Sequence, residues 1–201
     1  MADPKCIEEF NKCIREDGKI IGHLMEHMIR SCLKTLLEPE GITVRSEKET
    51  RHYFEAMRNE CVNGKMEASL WKSDISFFFR VYQVYIQVKW NESPEVAEFE
   101  EFIKHINACS VLIAACQPRL AALHPRKLGI WICKTTAPRI TELAAINNII
   151  VITGSKNPVA FAAGVIGQLV DLFLISREDD RSRACEHVIH EFRNRIKTDI
   201  L

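Results

Sequence analysis

The stretch "DISFFFRVYQVYIQVKW", Asp74 to Trp90, decides the fold. Phe, Tyr, Val and Ile crowd it, as in buried strands. It is too long for one ordinary strand, so it reads as a hairpin turning near Arg80 to Gln83, although no Gly or Asn marks the turn. Its second arm places Gln87 two residues before Lys89, and strand residues two apart share a face. The hairpin brings Asp74, at the start of the first arm, toward both. A carboxylate, an amide carbonyl and an ammonium then surround one point. Carboxylate and amide oxygens are hard ligands suited to Mg²⁺ or Mn²⁺. A lysine beside them orients or deprotonates a water, which is the machinery of phosphodiester hydrolysis.

The rest of the 201-residue chain bounds this reading. Apolar residues make up 47% of it, enough for one substantial core. Lys+Arg and Asp+Glu are equal at 27 each, so nucleic-acid contact requires a local basic patch rather than a global excess. The start "MADPKCIEEFNKC" is charged from the outset, so no secretory signal is expected. No segment reaches the ~18–20 uninterrupted apolar residues of a spanning helix, and "VAFAAGVIGQLVDLFLI" is broken by Gln168 and Asp171. Membrane partners are therefore not expected. The 8 cysteines form no CxxC pair and read as reduced, buried small hydrophobes, which places the chain in cytoplasm or nucleus. His23 and His27 stand four apart on a helical pattern but lack a third ligand, so they read as helix surface.

Outward from the hairpin, Cys6 to Glu16 reads as a short helix. Ile20 to Leu37 reads as a second, with Ile20, Leu24, Met28, Cys32 and Leu36 on one stripe. "EPEG" stops it, and "ITVR", Ile42 to Arg45, alternates as a strand. Ser46 to Lys72 is polar and mixed, an excursion with room for a short helix and a turn at Asn63-Gly64. After the hairpin, Ser93, Pro94 and Glu95 give the cap, first residue and first turn of a helix running to about Ile113. A loop with Pro118 and Pro125 leads to "LGIWIC", Leu128 to Cys133, a continuous apolar strand of the fully buried kind. "TTAPRITELAAIN" reads as cap and helix, and "NIIVIT", Asn148 to Thr153, as another buried strand; together they suggest a parallel βαβ unit. Helices follow over about Val159 to Ile175 and in the tail, where Ala184, Val188, Phe192 and Ile196 keep register.

This order of elements resembles the PD-(D/E)XK nuclease superfamily, and within it the Mrr-like type IV restriction endonucleases. "QVKW" stands for the family's "QxKRW"-like strand end, and "SPEVAEFEEF", Ser93 to Phe102, for its "PEIQQF"-like helix start. "KLGIWICKTTAPRITELAAINNIIVITG", Lys127 to Gly154, is similar to "KGVFITTSxFxxxAxxxA" followed by "IxLIDG". "GHLME" places Glu26 where the family's first helix carries "GxxFE". "WKSD" departs from the family's "GGxD", with Lys72 and Ser73 in place of glycines. The resemblance covers residues 20–160.

What it implies is an α/β fold with a restriction-endonuclease-like three-layer core, a mixed central sheet flanked by helices. Residues 1–19 would be an N-terminal helical extension. Residues 20–160 would form the domain, with an insert at about 46–72. The segments beyond Gly154 fall outside the resemblance; from their own pattern, residues 161–201 read as helices packing on the core or pairing with a second copy. The implied activity is endonucleolytic hydrolysis of DNA. Asp74 and Gln87 would ligate Mg²⁺ or Mn²⁺, Lys89 would position the water and Glu26 would assist. Lys134 and Thr135, at a helix start, and the basic loop of Arg119, Arg126 and Lys127 are the candidate contacts to DNA. The other reading open to the sequence is a catalytically inactive nuclease-fold scaffold that holds a protein partner or nucleic acid.

Overall fold

The structure, a computed structural model, describes residues 18–61, 73–90, 95–155 and 158–173. They form six α-helices and a five-stranded mixed sheet of order β1-β2-β3-β4-β5. In chain order these are α1 (Gly18–Leu37), β1 (Arg45–Ser46), α2 (Glu47–Cys61), β2 (Ile75–Phe79), β3 (Tyr82–Lys89), α3 (Val96–Cys116), α4 (Pro118–Leu123), β4 (Arg126–Cys133), α5 (Pro138–Asn147), β5 (Ile149–Thr153) and α6 (Pro158–Leu172). The expected helix at Cys6 to Glu16, the Asn63-Gly64 turn and the tail helix lie outside the described residues. So do Ser93 and Pro94. Among the described residues no helix is long and apolar enough to cross a membrane.

The hairpin turns at Arg80-Val81, with Phe79 opposite Tyr82 and Ile75 opposite Ile86. In the absence of Gly or Asn, Arg80 takes the left-handed conformation, φ 50°. β3 then runs parallel to β4, and β4 parallel to β5 across α5, the expected βαβ unit. Asn148 ends α5 at φ 54°, its N–H bonded to the Ala144 carbonyl.

Several boundaries differ from the sequence reading. Ile42 to Val44 is not a strand. The Ile42 N–H bonds back to the Leu37 carbonyl, and Gly41, at φ 78°, bonds to Glu38, so this segment closes the helix end and pairing begins only at Arg45. The polar excursion opens with a full 15-residue helix, α2. Its start is set by a reciprocal cap: Ser46 N–H and Oγ donate to Glu49 Oε2 at 2.7 Å, and Glu49 N–H donates to Ser46 Oγ. α3 starts at Val96 after Glu95, which makes no side-chain cap bond, and α5 starts after Ala137 rather than being capped by Thr136.

Strand alternation sorts the core into two halves. Phe77, Val84, Ile86, Val88, Ile130, Ile132 and Ile152 face α1 and α6. Tyr85, Trp131, Cys133 and Ile149 face α2, α3 and α5. The second half is close-packed. A methyl group on Gly129 would sit 2.7 Å from Ile106 Cδ1 and 2.8 Å from Ile149 Cγ1. Cys32, Cys109 and Cys133 are buried, as expected of thiols used as small hydrophobes.

Candidate functional site

The site grows from β3. Gln83, Tyr85, Gln87 and Lys89 share the face toward α2 and α3, while Val84, Ile86 and Val88 fill the other half of the core. The antiparallel register continues one residue before β2, since Asp74 N–H donates to the Ile86 carbonyl. Asp74 therefore lies against Gln87 on the same face. Gln87 Nε2 donates to Asp74 Oδ1 at 2.9 Å and Oδ2 at 2.8 Å, and Val88 N–H donates to Oδ2 at 2.6 Å. Lys89, two residues on, extends to the strand end, where its ammonium donates to Glu98 Oε1 on α3 at 2.9 Å.

Asp74 is buried, with 9% of its surface exposed. Burial first, and then the negative charge of Glu26, push its carboxyl up to about 8. The Val88 N–H and the Lys89 charge oppose the rise, and Glu47 adds to it. Glu26 is itself raised, by burial first, against the lowering charges of Arg30 and His23. The helix glutamate thus stands within electrostatic reach of Asp74. His23 Nδ1 lies 3.8 Å from Glu26 Oε2. His27 instead meets Arg30, so His23 and His27 do not act as a pair.

The departure "WKSD" has a structural explanation at Ser73. The side chain is buried, and its hydroxyl meets His105 Nε2 of α3 at 3.0 Å. His105 packs on the Tyr85 ring and on Cys109 Sγ. A glycine before the acid would leave this imidazole nitrogen without that partner.

The other candidate residues divide by position. Lys134 and Thr135 follow β4 at the same end of the sheet as Lys89, in register with Cys133. Lys134 Nζ lies 4.3 Å from the centre of the Trp90 ring, a cation–π contact. Arg126 and Lys127 begin β4, at the far end of an eight-residue strand, roughly 20 Å away at ~3.3 Å per residue. Lys127 donates to Asn107 Oδ1. A cleft of about 670 Å³ at that end is lined by Tyr82, Arg126, Lys127 and Asn148, and does not adjoin Asp74 or Lys89. Arg119 is exposed on the short α4. The expected basic loop is thus not a loop: Pro118–Leu123 forms a helix that carries Arg119, while Arg126 and Lys127 open a strand, and these residues lie apart from the Asp74 site.

The resemblance implies a divalent ion, and the donors bear on whether one fits. Among the described residues no three Asp, Glu, His or Cys side chains come together in a group that could hold a metal. A cation here would therefore draw on an amide oxygen as well. Gln87 Oε1 is such an oxygen, buried and without a hydrogen-bond partner. The amide nitrogen faces the Asp74 carboxyl, and a turn of the amide would set Oε1 beside it, a donor set that suits a hard cation. Sequence reasoning passed over Glu47, Glu98 and the Ser73–His105 pair. Only Glu98 left a trace, as an acid in the first turn of the helix that follows Lys89.

No family model matches the chain, and no curated protein or solved structure matches it.

Proposed function

We propose that this chain is a metal-dependent endonuclease-like protein that hydrolyses DNA phosphodiester bonds, built on a restriction-endonuclease-like α/β core. The observation that carries this is the meeting of Asp74, Gln87 and Lys89 on one sheet face at the strand ends. The strand order, with an antiparallel β1-β2-β3 meander joined to a parallel β3-β4 pair, supports the same reading. Asp74 and Gln87 would hold Mg²⁺ or Mn²⁺. When bound, such an ion supplies Lewis-acid stabilisation of phosphoryl oxygens and a more acidic water. Lys89 would orient the attacking water and the phosphate by hydrogen bonding, once substrate competes for its ammonium with Glu98. Glu26 would raise the site's negative field and so its appetite for a cation. Lys134, released from Trp90, would contact the DNA backbone beside Thr135.

A second reading has specific support. Lys89 is neutralised by Glu98, and Asp74 is protonated at neutral pH, so neither group stands in its working state. That is the arrangement of a nuclease fold retained as a scaffold. The separating experiment is nicking of supercoiled DNA with Mg²⁺ or Mn²⁺, using the parent protein and Lys89→Ala. The nuclease reading expects metal-dependent cutting that falls at least a hundredfold in the variant. A folded variant that cuts like the parent removes the site assignment. No cutting by the parent under either ion favours the scaffold.

A further inference from the structure

Among the described residues, five buried side-chain nitrogen or oxygen atoms lack a hydrogen-bond partner, and only two of them are oxygens: Gln87 Oε1 and Glu98 Oε2. Both belong to residues flanking Lys89. Gln87 shares its strand face two positions before it, and Glu98 Oε1 holds its ammonium. Gln87 is only 7% exposed, and its amide nitrogen is committed to Asp74 on one side, which leaves the carbonyl oxygen as an open acceptor. Leaving a buried acceptor unmatched is costly, and more so when it carries charge. Two such oxygens beside one lysine call for something that binds oxygen.

Both open atoms are acceptors, so what they meet is a cation or a hydrogen-bond donor. Around them Glu98 is held by Lys89, Glu47 is paired to Arg51 at 2.7 Å, and Glu26 stands beside Arg30 and His23. Mg²⁺ is commonly held by one or two carboxylates, completing its shell with waters and substrate phosphates, so few protein oxygens suffice.

We propose that Glu98 is a further cation ligand of this site: Gln87 Oε1 and Glu98 Oε2 take one hard divalent ion beside Lys89, while Glu98 Oε1 keeps the ammonium in place. The proposal rests on the reading of Gln87 as a metal ligand and adds a carboxylate from α3, which that reading does not include. Glu98 is thereby both the clasp on Lys89 and a ligand, so a bound ion leaves the lysine positioned.

The test is titration of Mn²⁺ into the full chain, followed by calorimetry and by the paramagnetic resonance of free Mn²⁺. The parent is compared with Glu98→Gln, Gln87→Glu and Asp74→Asn, with folding checked by circular dichroism. Glu98→Gln retains an oxygen for Lys89 and is expected to weaken Mn²⁺ at least tenfold. Gln87→Glu replaces the amide oxygen by a carboxylate and is expected to tighten it. A parent that binds no Mn²⁺, or a Glu98→Gln protein of parental affinity, overturns the proposal, the two oxygens then being matched by water only. Should Glu98→Gln fail to fold, unchanged or weaker affinity in Gln87→Glu overturns it. If Asp74→Asn abolishes binding and Glu98→Gln does not, this inference fails and the metal centre of the nuclease reading survives. If Mn²⁺ binding depends on Glu98 and no DNA is cut, the nuclease reading fails and the cation site stands.

Discussion

Replacing Asp74 by asparagine tests the electrostatics of the site in the metal-free protein. The carboxyl moves from an ordinary 3.8 to about 8 on folding, so at pH 7 it is protonated when folded and ionised when unfolded. At about 1.36 kcal/mol per unit, that difference costs about 4 kcal/mol of stability at pH 7. Relaxation and water penetration at a buried site reduce the measurable part to about 2 kcal/mol or more. The sign follows from proton linkage. A raised folded pKa gives stability that is full below the unfolded pKa and is lost as pH rises toward the folded one. Between about pH 4 and 8 the wild-type curve therefore falls, with a slope approaching ~1.4 kcal/mol per pH unit from this group. Asparagine stays neutral in both states. Its carbonyl keeps the Val88 N–H bond, and its NH2 meets the Gln87 carbonyl once that amide turns over, matching the open acceptor Oε1. Asp74→Asn is expected to be more stable than the parent at pH 7, with the gain growing from pH 5 to 8. Urea unfolding with chelator present, at pH 5, 6, 7 and 8, measures both. Parallel curves for the two proteins, or a less stable variant at pH 7, would refute the reasoning.

Substitutions at three further positions probe how the fold and the site are held. Ser46→Ala removes the cap that starts α2 and is expected to cost about 1 kcal/mol in urea unfolding, while Ser46→Asn keeps most of it. Gly129→Ala drives a methyl into Ile106 and Ile149 and is expected to cost about 1–3 kcal/mol, lowering the melting temperature. Ser73→Ala takes the hydroxyl from His105 Nε2 inside the core, with an expected loss of about 1–2 kcal/mol by calorimetry.

The hairpin and the βαβ unit were legible because their evidence is local. Tyr82 to Lys89 is dense in β-branched and aromatic residues, and Leu128 to Cys133 and Ile149 to Thr153 are apolar runs of strand length. β1 was misplaced because two residues carry no period, and the alternation in "ITVR" is satisfied equally by a chain closing a helix. α2 was read as an excursion because its composition is polar, although Ser46-x-x-Glu49 spells the reciprocal cap that starts it. In the site, Asp74, Gln87 and Lys89 follow from strand parity and register. Glu98 and His105 do not, since the rotation of α3 against the sheet is fixed by packing of Phe99, Phe102 and Ile106 rather than by any pattern near Lys89.

The placement of the site within one hairpin also orders events in folding. Asp74, Gln87 and Val88 join within a segment closed by a two-residue turn, a contact that forms on the microsecond scale of hairpins. The parallel pairing of Tyr82 with Arg126 must await α3 and α4, because nonlocal contacts carry the larger loop-closure cost. The carboxylate and the amide thus meet early and in water. Docking of the helices on the sheet then brings Glu98 to Lys89 and His105 to Ser73. On this chain the packing that buries Asp74 also raises its proton affinity, so folding itself takes up a proton near neutral pH.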